Sequence, residues 1–406
     1  MWLHQWYASW RGRMARASGA NNGPVFKRRA GMRLRLEQLE DRTLPSNFFA
    51  DTVSDLIADI NAANKAGGSN TITLTAPTSN PYVVTAVDNT TDGANGLPVI
   101  AKKDTLTIIG NGDTIERSTA PGTPAFRLFH VANGASLTLE NLTLQNGRAF
   151  GPGRSAEGGA VLNKGTLIFS GGNVQGNLAQ GSQGADGNLS GGKGANGGNG
   201  QDAAGGGIWS SGTLTLEAGT TITNNTAYGG TGGPTFLYNT LPGKGGMGSG
   251  GGVYIASGTA SLTGCTISGN SAFGGVGGFA PDLVVGEASL GGFGGGVYIA
   301  AGVATLSNAT MQNNQAVGDI LDGGWSAPGP GYCGGIYIAS GATVTLCNDT
   351  VQSNTATFSG GGIYVVSGAT VYIDSFTVAN TINNTDGSGL NSPTANFEGT
   401  YIRRNC

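Results

Sequence analysis

The chain has 406 residues, of which 75 are glycine and only 11% are charged. Because glycine, β-branched and turn-forming residues are poor helix formers, this composition excludes a mainly helical protein. The formal net charge of −3 combines a basic start (nine Lys or Arg against three acids in residues 1–45) with an acidic remainder (12 against 21), which argues against a nucleic-acid partner.

Residues 1–46 form the first predicted segment, a basic leader that we expect to be disordered and to serve export. The leader lacks the apolar stretch of an ordinary secretory signal, and no apolar run is long enough to predict a transmembrane helix. The string Leu-Glu-Gln-Leu-Glu-Asp-Arg at residues 36–42 resembles the leader found near the start of many predicted large surface proteins of planctomycete bacteria. That resemblance implies a location at the cell surface.

Residues 47–100 are predicted to cap one end of the molecule. Apolar residues at helical spacing predict an amphipathic helix over residues 51–64, and Gly67 and Gly68 end it before a first strand at residues 71–74. We expect this helix to cover an open sheet edge, which would otherwise pair with another chain. The segment also resembles the opening part of many bacterial surface β-helix proteins.

The motif that organises the chain is a glycine triplet followed by a short alternating strand, as in Gly294–Gly302. Copies lie at Gly205–Trp209, Gly250–Gly258, Cys333–Gly341 and Gly360–Gly368, with a weaker copy at Gly158–Leu162. The first aliphatic residues of successive copies are 47, 45, 44, 39 and 27 residues apart. A unit that keeps its core while one connection varies in length is typical of a stacked solenoid with loops inserted at one corner.

Each repeat contains three short strands separated by turns, for example Gly362–Val365, Thr370–Ile373 and Phe376–Val378. The repeats are predicted to occupy residues 101–385, as roughly eight to ten coils, before a tail at residues 386–406. Many short strands without crossover helices predict an all-β fold. The coil length suits three faces and indicates a right-handed parallel β-helix, a solenoid with a short N-terminal capping helix and glycine-rich loop insertions.

The Gly-Gly-Ala-Val and Asn-Xaa-Ala signatures in this pattern resemble the polymorphic outer membrane protein repeat, over about residues 126–385. That repeat is a unit of β-helical surface and autotransported proteins, so the resemblance implies both the fold and the location. The family's Phe-Xaa-Xaa-Asn appears here mostly in altered form, at Ile222–Asn225, Ile267–Asn270 and Val351–Asn354.

Two residue types recur at fixed places in the repeat. An asparagine follows the first aliphatic residue by 16 to 18 positions, and these side chains are predicted to form a hydrogen-bonded ladder at a left-handed turn: Asn177, Asn225, Asn270, Asn314 and Asn354. An aromatic lies between two core-facing aliphatics and is predicted to face outward: Trp209, Tyr254, Tyr298, Tyr337 and Tyr364. This aromatic column is a candidate binding face for cell-wall or extracellular polysaccharide or for a surface protein, unless the rings only stack on one another or lie beneath the loops.

The glycine-rich inserts at residues 180–204, 228–249 and 273–293 are predicted to be flexible surface loops on one edge of the stack. Residues 191–196 faintly resemble the calcium-binding nonapeptide, but only Asp186 and Asp202 lie nearby, so no metal site is predicted. Cys265 and Cys347 are expected to lie two coils apart, too far for a disulfide. The four cysteines, which also include Cys333 and Cys406, are therefore predicted to be small packed side chains.

A catalytic cleft would favour acidic residues at matching positions of neighbouring repeats. The acidic residues of this chain do not recur in that way. The best constellation is Asp319 and Asp322 with Arg148 and Arg154, which we interpret as solubilising groups, and His130 takes a place in the aromatic column and is interpreted as structural. The sequence therefore predicts an exported, non-catalytic protein of the cell surface, outer membrane or extracellular space, structural or adhesion-like, with no cofactor. The alternatives are a polysaccharide lyase or glycoside hydrolase and a disordered glycine-rich matrix protein.

Overall fold

The computed structural model describes residues 45–190, 193–236, 240–280, 290–318, 329–387, 389–390 and 393–406. The predicted leader lies outside the described residues, apart from Pro45 and Ser46.

An amphipathic helix precedes the stack of coils. Helix α1 spans Val53–Ala66 and begins at Thr52, which forms a reciprocal capping box with Asp55. Leu56, Ile60 and Ala63 on its inner face are buried against the first strands, and Gly67, with a φ of 63°, ends it. The helix therefore packs its apolar stripe onto the first rungs of the stack, where the strand Ser46–Ala50 pairs with Gly68–Leu74.

The coils build four parallel sheets. Sheet 1 is the longest, and its two bands contain Ser46–Ala50, Gly68–Leu74, Tyr82–Val84, Asp104–Ile109, Thr114–Arg117, Ser136–Gln145, Thr166–Gln175, Thr213–Leu216, Thr220–Thr223, Thr259–Thr263, Thr266–Ser268, Val303–Ser307, Thr310–Gln312, Thr343–Cys347, Thr350–Gln352, Thr370–Ile373, Thr381–Ile382 and Ile402–Arg403. Sheet 2 contains Phe129–Val131, Val161–Asn163, Ile208–Ser210, Val253–Ile255, Val297–Ile299, Ile336–Ile338, Ile363–Val365 and Phe397–Glu398.

Two smaller sheets complete the coils. Sheet 3 contains Arg148–Gly151, Leu178–Gly181, Thr226–Tyr228, Ser271–Phe273, Gln315–Val317, Thr355–Ala356 and Thr385–Asp386, to which Gly389–Leu390 adds antiparallel. Sheet 4 contains Ala156–Glu157, Ala203–Ala204, Gly248–Ser249, Gly292–Phe293 and Gly331–Tyr332. A small antiparallel pair, Leu189–Ser190 with Lys193–Gly194, lies in the first insert. The chain passes from sheet 2 through sheet 1 to sheet 3, and the inserts lead from sheet 3 to sheet 4 before the next coil begins.

Successive coils pair in one register, so that equivalent residues stack directly. Val253 pairs with Val297 and Ile255 with Ile299, and all four side chains are buried, with 1% of their surface or less exposed. Period-2 alternation sends these aliphatics inward and the residue between them outward. This arrangement confirms the predicted all-β, right-handed parallel β-helix.

Each glycine of the triplet has its own reason to lack a side chain. The first, such as Gly294 with a φ of 61°, turns the chain in the left-handed region. A Cβ at the second, such as Gly206, would lie 2.3 Å from the carbonyl oxygen of Gly251 in the next coil. A Cβ at the third, Gly252, would press on the amide of Asn270 at 3.0 Å. The triplet thus lets the walls of the coil approach closely.

The glycine-rich inserts, predicted to be flexible loops, are instead hydrogen-bonded to one another. Gly229, Gly232 and Thr235 donate N–H bonds of 2.8 to 2.9 Å to the carbonyls of residues 273, 276 and 279 in the next insert. Bonding at every third residue is the period of a polyproline-II-type helix. Glycine is required because a Cβ at Gly230 would lie 2.0 Å from the carbonyl oxygen of Ser182. We call this assembly of residues 181–188, 195–203, 229–236, 241–248 and 274–280 the glycine bundle.

The last coils depart from the expected strand pattern. Phe376–Val378, predicted as a strand, belongs to helix α2 at Ser375–Ala379, because the side chain of Asp374 accepts a hydrogen bond of 2.8 Å from the Thr377 N–H and starts a helix there. Helix α3, Pro393–Asn396, and two more strands follow it. These strands lie in the segment predicted as a tail: Phe397–Glu398 pairs in sheet 2 and Ile402–Arg403 in sheet 1.

A disulfide joins Cys347 to Cys406, whose Cα atoms are 5.9 Å apart. The prediction that all four cysteines are merely packed side chains is therefore wrong for this pair, although Cys265 and Cys333 are free and buried. The return of Ile402–Arg403 to the edge of sheet 1 brings Cys406 to Cys347, and spacing along the repeats contained no sign of that return.

Candidate functional site

The five predicted aromatic residues lie in one row on the outer face of sheet 2. The ring centroids of Trp209 and Tyr254 are 6.5 Å apart, and those of Tyr254 and Tyr298 are 4.9 Å apart. The Tyr298–Tyr337 and Tyr337–Tyr364 distances are 4.8 and 5.2 Å, and no interplanar angle in the row exceeds 10°. In-register pairing at the strand spacing of about 4.8 Å is what stacks the rings.

Stacking leaves the rings of the aromatic column half-buried. Both faces of Tyr298 and Tyr337 are covered by their neighbours, so the column presents ring edges and hydroxyl groups rather than flat faces. Burial raises the pKa of Tyr254 to about 12 and also raises the pKa of Tyr298 and Tyr337, so the phenols stay protonated at neutral pH. Stacking of a sugar on a free ring face is therefore not available at the middle of the column.

A second aromatic row, which the sequence reasoning missed, lies beside the C-terminal end of the aromatic column, next to Tyr337 and Tyr364. Phe293 and Tyr332 occupy equivalent positions in sheet 4, and their ring centroids are 5.5 Å apart. Phe293 meets Tyr337 edge-on at 5.5 Å, and Tyr332 meets Tyr364 in the same way at 5.3 Å. The available signal was the position immediately before the first residue of each triplet, where an aromatic occurs in these two repeats.

A charged cluster lies at the foot of the aromatic column. In sheet 2, Leu162 pairs with Trp209 and His130 pairs with Leu162, so that His130 lies two coils before Trp209. Only 1% of the His130 side chain is exposed. Burial lowers its pKa to about 4, so the imidazole is neutral at pH 7. Asp92 lies 3.4 Å from His130 Nε2 and 2.9 Å from Lys164 Nζ, and the hydrogen bond from Lys164 lowers the pKa of the Asp92 carboxyl.

Arg127 ties this cluster together. Its guanidinium is buried and donates hydrogen bonds of 3.1 Å to the carbonyl oxygens of Asp92 and Glu157 and to Asn95 Oδ1. Burial lowers the pKa of Arg127 to about 10 and raises the pKa of Glu157. The guanidinium thus ties two other segments, residues 92–95 and Glu157, to its own, which gives it a structural role.

The five predicted asparagines form a continuous buried ladder. The backbone N–H and Nδ2 of each donate to Oδ1 of the next, at 2.9 to 3.0 Å, as Asn225 does to Asn270. Each Nδ2 also donates to a carbonyl of the coil below, for example Asn225 to Val174 at 2.8 Å. The sequence analysis placed the left-handed backbone at the ladder asparagine itself. In the structure it belongs to the residue before, such as Asn224 with a φ of 53°.

Two further members, Asn384 and Asn396, continue the ladder beyond Asn354. Sequence reasoning missed Asn384 because helix α2 lengthens its distance from Ile363 to 21 residues, outside the 16 to 18 of the other repeats. The string Ile-Asn-Asn-Thr at residues 382–385, which resembles Ile-Thr-Asn-Asn-Thr at 222–226, was the available signal.

The glycine bundle has an outer surface of third-position side chains. Two of every three positions in its segments face neighbouring backbone, so the remaining position points to solvent. On the side where each insert leaves sheet 3, these residues are apolar in the third insert (Phe273, Val276 and Phe279) and mostly polar in the first two, for example Gln183 and Thr231. With the aromatics at the equivalent position of sheet 3, where Gln180 lies between Phe150 and Tyr228, the apolar members define the outbound face: Phe150, Tyr228, Phe273, Val276 and Phe279. Phe150 is 41% and Phe279 47% exposed, and the Tyr228 and Phe273 rings are 5.8 Å apart.

A family model described as the right-handed β-helix region matches residues 102–378, more than half of the chain. The chain belongs to that family. Comparisons of this β-helix with curated proteins and with solved structures gave no match.

The catalytic constellation considered from the sequence lies only partly within the described residues. Asp319 and Asp322 lie outside the described residues, and Arg148 donates a hydrogen bond to Gln180 in the lower coils. In the described ranges no group of three or more His, Cys, Asp or Glu could hold a metal ion. Of the two acids near the predicted loop motif, Asp186 is exposed and Asp202 accepts a hydrogen bond of 2.7 Å from the Met247 N–H. The same ranges contain no helix long and apolar enough to cross a membrane.

Proposed function

We propose that this β-helix is an exported, non-catalytic protein of the cell surface or extracellular space, and that it binds a partner in an adhesion-like role. The outbound face carries this proposal. Monomeric proteins rarely expose contiguous apolar patches without an interaction function. Of the twelve large hydrophobic side chains that are exposed in the described residues, Phe150 and Phe279 belong to the outbound face, and four more lie elsewhere along the insert edge: Phe236, Leu241, Met247 and Phe358.

The backbone beneath the outbound face supports a recognition role. Phe273, Val276 and Phe279 follow one another at three-residue spacing, and their carbonyl groups accept the N–H bonds from the insert below. The backbone that carries these side chains is therefore held in place, so that less conformational entropy is lost when a partner binds. Flexible loops would lose more.

The disulfide supports export. Bonds such as Cys347–Cys406 form and persist in oxidising compartments and are rare in the cytosol. Together with the leader resemblance, this bond favours a protein that acts outside the cytoplasm.

A double variant tests the proposed binding role. Phe273→Ser with Phe279→Ser should lower binding of the purified chain to partner cells, or to an insoluble cell-wall fraction, about tenfold or more, because two aromatic anchors are lost. The melting temperature should change little, since both rings lie outside the core. The matched control is Phe376→Ser, which removes a ring that is 48% exposed on another part of the molecule.

Equal binding by the double variant and the unmodified chain would overturn the role given to the outbound face. Release of unsaturated or reducing sugars from acidic glycans, above a boiled control, would instead favour the polysaccharide lyase or hydrolase alternative.

A further inference from the structure

The first band of sheet 1 carries a regular array of hydroxyl side chains on its outer face. Inward residues of this band, such as Leu106 and Leu214, are fully buried, so the residues between them face outward. Two outward positions of each strand stack in register through nine strands, from Gly68–Leu74 to Thr370–Ile373. The first row contains Ser69, Thr105, Ser136, Thr166, Thr213, Thr259, Val303, Thr343 and Thr370, and the second row contains Thr71, Thr107, Thr138, Ile168, Thr215, Ser261, Thr305, Thr345 and Tyr372. We call these two rows the threonine face.

The composition of the threonine face is more uniform than a strand requires. Fifteen of its eighteen residues are threonine or serine, and none is charged. Strand propensity favours threonine, but the second band of the same sheet has long amide side chains at outward positions, such as Gln145 and Gln312. Charged side chains lie beside the two rows, for example Lys103 and Glu140. The face is therefore a neutral surface on which one chemical pattern, a hydroxyl beside a methyl group, is repeated.

The backbone fixes the spacing of this pattern. Neighbours within a row are about 4.8 Å apart, and the two rows are about 6.6 Å apart, because each residue of a strand rises about 3.3 Å. Threonine is branched at Cβ, which restricts its χ1 rotamers and holds its hydroxyl and methyl groups in place. In one pair the Thr259 hydroxyl donates a hydrogen bond of 3.3 Å to Thr213 Oγ1. The hydroxyl oxygens thus lie on a two-dimensional grid with two fixed repeats.

The chemistry of the threonine face does not suit the commoner kinds of partner. A charged partner would be recognised by opposite charges, which the face does not carry. A protein partner is usually held by clustered aromatic or arginine anchors, whereas Ile168, Val303 and Tyr372 lie in separate parts of the face. A sugar would stack on a free ring, but the Arg404 guanidinium lies over the Tyr372 ring, 5.4 Å from its centroid. The surface fits a neutral lattice of hydrogen-bonding groups with a matching repeat.

We propose that the threonine face binds ice. Ice is an uncharged lattice of oxygen atoms that donate and accept hydrogen bonds, and the oxygens of its prism face repeat in two perpendicular directions at spacings close to those of the two rows. The threonine hydroxyls bond to lattice waters, while the methyl groups lie between them against water that apolar groups already order. Because the grid is rigid, little conformational entropy is lost on adsorption. The face lies on sheet 1, away from the outbound face, and its role does not depend on adhesion.

Thermal hysteresis of the full chain, which is the gap between the melting and freezing temperatures of an ice crystal, tests the proposal. The unmodified chain should open this gap and produce faceted crystals, because ice can advance only between adsorbed molecules. Thr305→Lys places a charge at an exposed position of the second row and should remove most of the gap, since the ammonium group would lose its hydration against the lattice. The matched control is Thr355→Lys, which adds the same charge at an exposed position of sheet 3 and should keep the gap.

A second variant, Thr259→Tyr, adds bulk without charge to the first row and should also remove most of the gap. Melting temperatures close to that of the unmodified chain would show that the variants remain folded, as expected for outward positions. The proposal is overturned if the unmodified chain shows no hysteresis, if Thr305→Lys and Thr259→Tyr keep it, or if Thr355→Lys loses it as well. Binding to microcrystalline cellulose that Thr305→Lys abolishes, without hysteresis, would assign the face to a neutral polysaccharide and would equally overturn the proposal.

Discussion

At the scale of the residue, one buried amide connects three coils. Asn225 accepts hydrogen bonds from Asn177 of the coil below, donates to Asn270 of the coil above, and donates to the Val174 carbonyl. Together with the third glycine of each triplet, which packs on such an amide, this bonding explains why glycine and asparagine recur in step. A polar side chain at the centre of the stack therefore sets the register of its coils.

Replacing Asn225 by Ala should destabilise the chain by about 2 to 4 kcal/mol, because the buried Asn177 N–H and Val174 carbonyl lose their partners. Chemical denaturation followed by circular dichroism measures this loss. The control is the adjacent Asn224→Gly, which is exposed and left-handed and should be nearly neutral. Similar midpoints for the two variants would mean that the ladder adds little to stability.

Asp349 is expected to make stability depend on pH. Burial raises the pKa of its carboxyl to about 7, from an ordinary value of 3.8. Between these values the folded chain keeps a proton that the unfolded chain has lost, so the contribution of Asp349 to stability should fall as pH rises from about 4 to about 7 and stay low above that.

The variant Asp349→Asn should lack this part of the pH dependence. It should also cost about 1 kcal/mol at low pH, because an amide cannot accept both the Ala309 and the Cys347 N–H bonds. Melting temperatures of both proteins from pH 4 to pH 8 measure the difference. Parallel curves would show that the carboxyl does not titrate in this range.

At the scale of the element, the stacked rings of the aromatic column pack the outer face of sheet 2. Each ring of Tyr254 and Tyr298 stacks on its neighbours, and such pairs contribute about 0.5 to 1.5 kcal/mol beyond area burial. We expect Tyr254→Ser with Tyr298→Ser to lower stability by about 2 to 4 kcal/mol, measured by denaturation. Lost binding to cell-wall glycan with an unchanged midpoint would instead assign the column to recognition.

The strands could be predicted from the sequence better than the segments between them. Alternating aliphatics such as Val253 and Ile255 identify inward positions directly, because side chains alternate along a strand, and the fold follows from their repetition. The glycine bundle could not be derived in this way, since its stability comes from backbone bonds between inserts, which composition does not encode. The pattern Gly-Gly-Xaa-Gly-Gly at residues 229–233 and 274–278 is the signal in the sequence that indicates a three-residue period.

The aromatic column could be aligned from the repeats, but the second row with Phe293 and Tyr332 could not, because it comes from sheet 4, whose strands are only two residues long. The charged cluster at the foot of the aromatic column could not be predicted from the repeat pattern either. Asp92 reaches His130 and Lys164 from a loop that precedes the first full repeat.

At the scale of the whole described stack, stability is quasi-one-dimensional, because each coil contacts mainly the coils above and below it. The coils at the two ends have only one neighbour each and are the natural places for unfolding to start. Helix α1 packs on the first rungs, whereas the upper coils depend on the returning strand Ile402–Arg403 and on the disulfide that follows it.

The disulfide should therefore protect the upper coils in particular. It closes a loop with a sequence separation of 59 residues, for which the usual stabilisation is about 2 to 4 kcal/mol. Cys406→Ser should lower the denaturation midpoint and speed amide hydrogen exchange at Thr370–Ile373, the strand on which Ile402–Arg403 lies, while exchange at Thr213–Leu216 in the middle of the stack should not change. A reductant should have the same effect on the unmodified chain and none on the variant. A midpoint that is insensitive to the reductant, or an equal increase of exchange in both strands, would contradict a local role for this bond at the upper end of the stack.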